Sequence, residues 1–129
     1  MKRAKYAWLV CRALGELTCY DVINSLRGPG GIDRRLSRQP AVPEPADDEL
    51  VRTICAAVLL ATCLYCRPVL CLQRSVCAVR LLRKHGVRAR LVIGYRTGPF
   101  FSHAWVEVDG RIVNDSPAYR ERLQVLYTA

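Results

Sequence analysis

Apolar residues recur every three or four positions from Ala4 to Arg27, through Trp8, Leu9, Leu14, Leu17, Tyr20, Ile23 and Leu26. That period predicts a helical segment. Gly15 weakens it as one unbroken rod, and Thr18 is placed to cap a second helix. Gly28-Pro29-Gly30-Gly31 stops the pattern, and four prolines and three glycines between Arg27 and Pro45 read as linker. Asp47-Asp48-Glu49 marks the next helix start, because carboxylates there meet the positive end of the helix dipole. Ile54, Val58, Leu59, Ala61 and Leu64 make this helix apolar nearly all round to about Tyr65, so burial is expected. Arg67-Pro68 ends it.

A third helix begins near Cys71, with Leu72, Val76, Val79 and Leu82 as its stripe and Gly86 as its C-terminal cap. Ser75 and Ala78 are small enough for close packing. The period then falls to two. Strands are expected at Ala89 to Tyr95, Ser102 to Val108 and Arg111 to Asp115, with Asp109-Gly110 as a hairpin turn. The tail from Ala118 to Tyr127 fits a short helix or an edge strand equally well. Helices followed by an antiparallel meander make an α+β chain.

At 129 residues the chain fits one domain. The division expected is residues 1–45 as helical segment and linker, and 46–129 as the core. A net charge of +9 favours an acidic partner or simple solubility. The seven cysteines lie mostly in apolar helical runs, the pattern of reduced, buried thiols. Only six uncharged residues separate Lys5 from Arg12, too few for a secretory core. The longest uncharged run, Thr53 to Cys66, has fourteen residues and is too short to span a bilayer. A cytoplasmic protein without a membrane span is the expectation.

Candidate chemistry gathers between Cys71 and Asp115. Cys71 alone among the cysteines combines a helix start with a preceding proline loop. Unpaired N–H groups there favour a thiolate and suit an oxyanion. Arg67 to Arg96 adds eight basic residues and no acidic one. His103 near a strand start is the natural base, and His85 reads as a helix-end residue. For the third member, hairpin register decides. A two-residue loop pairs Glu107 with Ile112 and turns Asp115 to the face opposite His103, leaving Asn114 on the histidine's face. A three-residue loop pairs Glu107 with Arg111, Trp105 with Val113 and His103 with Asp115. The second register matches charges and apolar pairs, so it is preferred, with Asp115 ahead of Asn114 as orienter. Cysteine, histidine and aspartate form a nucleophile, base and orienter set for acyl transfer at an amide.

Other readings stand beside this one. Cys63-Leu64-Tyr65-Cys66 is a C-x-x-C, but no glycine-bearing knuckle frames a metal or redox site. The basic excess suits nucleic acid, although its basic residues are scattered along the chain. An amidase or acyltransferase would use the same three residues.

Cys71-Leu72-Gln73-Arg74-Ser75, Leu81 to Ala89, His103-Ala104-Trp105-Val106-Glu107 and Asp115 resemble the transglutaminase-like B2 leader peptidases of lasso-peptide biosynthesis, over about residues 47 to 120. The resemblance implies a papain/transglutaminase-like core with N-terminal helices packed on a small antiparallel sheet. It implies a papain-like triad of Cys71, His103 and Asp115 that removes the leader from a precursor peptide, with no metal or other cofactor. Residues 1–45 look like the split form of the family. That implies a small PqqD-like (B1) leader-recognition protein in trans, with an ATP-dependent cyclase acting afterwards and no nucleic acid as partner. Arg74, Phe101 and Trp105 are candidates to line the substrate cleft. The extra cysteines have no counterpart in this resemblance.

Overall fold

A computed structural model describes residues 3–27 and 47–129. The expected linker falls outside these residues. Three long helices come first: α1, Arg3–Arg27; α2, Asp48–Leu64; and α3, Cys71–Lys84. Strands β1, Ala89–Arg96; β2, Phe101–Val108; and β3, Arg111–Ile112 follow. A short helix α4, Tyr119–Arg122, leads into strand β4, Gln124–Thr128. The chain is α+β, and its undecided tail supplies both a helical turn and an edge strand.

The helix ends follow from local chemistry. The Asp47 carboxylate accepts the Glu49 N–H at 3.0 Å and caps α2. At the end of α3, Gly86 takes φ +81°. The Gly86 N–H then reaches Arg83 O at 3.1 Å and the Val87 N–H reaches Leu82 O at 3.0 Å. This pair of bonds is a Schellman cap, and it needs a residue that tolerates the left-handed region. His85 ends the helix as expected, with Nδ1 2.9 Å from Leu81 O.

Helix α1 is unbroken, against the expectation of a restart at Thr18. The Thr18 hydroxyl bonds back to Leu14 O at 3.0 Å within the same helix and caps nothing. Leu9, Ala13 and Leu17 are fully buried, each one turn from the next, so tertiary packing of that stripe overrides the cost of Gly15. Helix α2 corrects a second expectation. Ile54, Ala57, Val58 and Ala61 are buried, but Leu59, Leu60 and Leu64 face outward. It packs on α1 and α3 from one side only. Four cysteines, Cys11, Cys19, Cys63 and Cys66, are exposed for the same reason: they lie on or beyond the outward faces of α1 and α2. Cys77 alone is buried, with Cys55 and Cys71 partly so, which corrects the reading of the thiols as core residues.

The sheet order is β3-β2-β1-β4, antiparallel throughout. Ala104, Val106 and Val108 of β2 join Ala89 and Leu91 of β1 against the helices. His103, Trp105 and Glu107 alternate with them and face the other way. On that outer face Trp105 is buried beside Val92 and Leu123, with Ile112 and Tyr119 packed on them.

Register at the β2–β3 hairpin is the one not preferred from sequence. Glu107 pairs with Ile112 and Val108 with Arg111, around a two-residue turn. Asp109 at φ 52° and Gly110 at φ 76° both lie in the left-handed region, which a two-residue primed turn demands. This turn also keeps ion pairs for the charged residues. Arg111 reaches Asp48 at 2.9 Å and Glu107 meets Arg120 at 2.9 Å, so no cross-strand Glu107–Arg111 pair is needed.

Candidate active site

Cys71 is the first residue of α3. Arg74 is the first whose N–H finds a helical carbonyl, Leu70 O at 3.0 Å. The N–H groups of Cys71, Leu72 and Gln73 therefore have no bond within the helix. Cys71 itself is half-buried against the core.

Two contacts fix α3 along β2. The Ser75 hydroxyl donates to Ala104 O at 3.2 Å, and Arg83 Nε donates to Ala89 O at 3.1 Å, where Ala89 pairs with Val108. Helix and strand thus run in the same direction. Cys71 lies four residues before Ser75, about 6 Å of helix at ~1.5 Å per residue. That equals roughly two strand residues at ~3.3 Å each. Cys71 comes to the level of Ser102 and His103.

His103 Nε2 lies 2.7 Å from Asp115 Oδ2. Yet Asp115 is on no strand. The Val113 N–H reaches Val106 O at 2.9 Å as the ladder continues, but the next donor, the Val106 N–H, goes to the Asn114 side-chain oxygen at 2.8 Å. Asn114 Nδ2 in turn donates to Ser75 Oγ at 3.2 Å. This side chain takes the place of a main-chain partner and ends β3 after two residues. The chain bends there, and the bend carries Asp115 round to the histidine. Asn114 serves strand and helix rather than the imidazole.

Three groups hold the Asp115 carboxylate. Oδ2 receives both His103 and Arg74 Nη2, the latter at 2.9 Å, and Oδ1 receives the Ser116 N–H at 2.8 Å. Burial alone would raise this carboxyl. The hydrogen bonds from His103 and Ser116 and the charges of His103 and Arg74 outweigh it and hold the group below its ordinary range. With Nε2 of His103 engaged, Nδ1 is the ring nitrogen left for a proton exchange.

Of the residues expected to line a cleft, Arg74 reaches Asp115 with its guanidinium and also borders a small surface cavity beside Cys55, Ala78, Val113 and Asn114. Phe101 is partly exposed and stacks near His103, with ring centroids 6.1 Å apart. Trp105 is fully buried and its indole N–H donates to Glu107 at 2.9 Å, so it is a core residue and not a cleft wall. One neighbour of the histidine was not foreseen. Tyr119 lies over the imidazole at 4.3 Å between centroids. It comes from the tail whose structure the sequence pattern left open. Among the described residues, no three His, Cys, Asp or Glu side chains gather as a metal site, Cys63 and Cys66 included. No helix among them is long and apolar enough to cross a membrane.

A family model described as the transglutaminase-like superfamily matches residues 20–128. The chain is also similar to the microcin J25-processing protein McjB of Escherichia coli, at 48% identity over 56 residues. That stretch is 43% of this chain and 27% of McjB, so the match spans less than half of either. No solved structure matches the chain.

Proposed function

Because the chain belongs to the transglutaminase-like superfamily, we propose that it is a cysteine peptidase that cuts the leader from a ribosomally made lasso-peptide precursor at the leader–core junction. The observation that carries this reading is the 2.7 Å bond between His103 and Asp115, whose carboxylate is also held at 2.9 Å by Arg74 in the first turn of the helix that starts at Cys71. The likeness to a protein named for processing microcin J25 supports the substrate class.

In this reading His103 Nδ1 takes the Cys71 proton and the thiolate attacks the carbonyl at the junction. The N–H groups at the start of α3 stabilise the oxyanion. The imidazolium returns its proton to the leaving amine, which frees the core N-terminus. Water then hydrolyses the thioester, with His103 again as base. Asp115 holds Nε2–H and stabilises the imidazolium. An amine in place of water would make the same thioester an acyl-transfer intermediate, so the acceptor separates peptidase from acyltransferase. The precursor is expected to arrive on a leader-recognition protein in trans, and the freed core to pass to an ATP-dependent cyclase.

The test mixes precursor, recognition protein and this protein, with products read by mass spectrometry. Cleavage at the junction that disappears in Cys71→Ala and in His103→Ala is expected. Undiminished cleavage by either variant overturns the mechanism. Product carrying an added amine in place of a free carboxylate would assign acyl transfer.

A further inference from the structure

Arg74 has no place in the chemistry above, yet it shares an oxygen with it. Its Nη2 lies 2.9 Å from Asp115 Oδ2, the atom that also meets His103 Nε2 at 2.7 Å. Asp115 lies past the end of β3, so no ladder holds its backbone in register with β2. The Ser116 N–H on Oδ1 ties the carboxylate only to its own neighbour in the chain. The ties from Asp115 to other elements are His103 on β2 and Arg74 on α3.

Position along the helix gives Arg74 its particular reach. It follows Cys71 by three residues, so the two share a face, one turn apart. A guanidinium at that place links the bend carrying Asp115 to the helix that carries the thiol. Its Nε is buried without a hydrogen-bond partner. The side chain has given up solvent at that atom to reach the carboxylate, a cost that an arginine waiting for an acidic substrate in an open cleft does not bear.

We propose that Arg74 is a positioning residue: it clamps Asp115 to the Cys71 helix and thereby sets the orientation and tautomer of His103. The role rests on the reading of Cys71, His103 and Asp115 given above. Arg74 acts through Asp115 and touches neither thiol nor substrate. Lysine keeps the charge but lacks the planar fork, so it substitutes in part.

Four full-length variants, Arg74→Gln, Arg74→Lys, Asp115→Asn and the double variant of Arg74→Gln with Asp115→Asn, test this against wild type. Cleavage of the precursor is measured with the recognition protein present. Arg74→Gln is expected to lower kcat by about 10–100-fold, the scale of a small misplacement of a catalytic group, with KM within about twofold. Arg74→Lys should recover part of the loss. In the double variant, removing Arg74 should cost little beyond Asp115→Asn, because the two act as one unit. Losses that multiply overturn the proposal and assign a separate effect on folding. A raised KM with unchanged kcat overturns it in favour of substrate binding.

A substrate-free readout separates this proposal from the reading beneath it. In ¹⁵N-labelled protein, the ring nitrogens of His103 should report one dominant Nε2–H tautomer, and a mixture in Arg74→Gln. An unchanged tautomer overturns the positioning role even if Cys71→Ala is inactive. A changed tautomer in a protein whose Cys71→Ala variant still cleaves would uphold Arg74 and remove the nucleophile assignment.

Discussion

His103 and Asp115 meet at 2.7 Å although they are not partners across a sheet. Asn114 makes this possible by closing β3 with its own side chain. The neighbouring residues 114 and 115 therefore have separate duties, one in the scaffold and one at the imidazole.

Exchanging them tests that division. Asp115→Ala should lower kcat for precursor cleavage by roughly 10⁴-fold, as loss of a triad orienter does elsewhere, a loss far larger than any fall in the folded fraction explains. Asn114→Ala should instead lower stability by about 1–3 kcal/mol, since it leaves the buried ends of two hydrogen bonds unmet. Urea titration and steady-state kinetics on both variants check this. An inactive but fully stable Asn114→Ala would reverse the assignment.

Stability should follow the Asp115 carboxyl in a defined direction. Burial raises its pKa, but the bonds from His103 and Ser116 and the charges of His103 and Arg74 lower it by more, so the folded value ends below the unfolded one. A depressed folded value contributes stability that is present above the unfolded pKa, about 3.9, and is lost as pH falls through the folded value. The stability gap between wild type and Asp115→Asn should therefore be fully developed by about pH 6 and shrink as pH drops below about 4. Denaturation across that range measures it. A gap that grows toward acid would contradict the sign.

Gly94 pairs with His103, and the Trp105 ring lies against it. A methyl group there would stand 2.5 Å from the Trp105 ring and 2.9 Å from Leu123. Gly94→Ala should cost about 1–3 kcal/mol through overpacking and alter the near-UV circular dichroism of the buried tryptophan. An unchanged spectrum and melting curve would show that the ring does not rest there.

The thiols should react in order of access. Cys11, Cys19, Cys63 and Cys66 are exposed, Cys77 is buried, and burial pushes the Cys55 thiol up to about 11. At pH 8, iodoacetamide should label the exposed four quickly and leave Cys55 and Cys77 until the protein unfolds. Peptide mapping by mass spectrometry reads the order. Serine at the four exposed positions should leave cleavage intact.

Local sequence determined a good deal of this protein. The cap at Asp47, the glycine end of α3, the placement of Cys71 at a helix start and the antiparallel strands all follow from short-range rules of capping, period and turn chemistry. Those rules act within a few residues, so the pattern alone carries them. That Asp115 rather than Asn114 lies against His103 is legible too, but the charge-matched register that pointed to it is not the one the hairpin forms. A turn of two left-handed residues sets the hairpin, and the bond from a side chain then breaks the ladder before pairing reaches Asp115. Only the folded chain decided that. The same is true of Trp105 as core, Tyr119 over the imidazole, the outward face of α2 and the contact of Arg74 with Asp115. Each depends on which distant element covers a residue. A periodic pattern states that a face is apolar, and packing alone determines whether another part of the chain meets it.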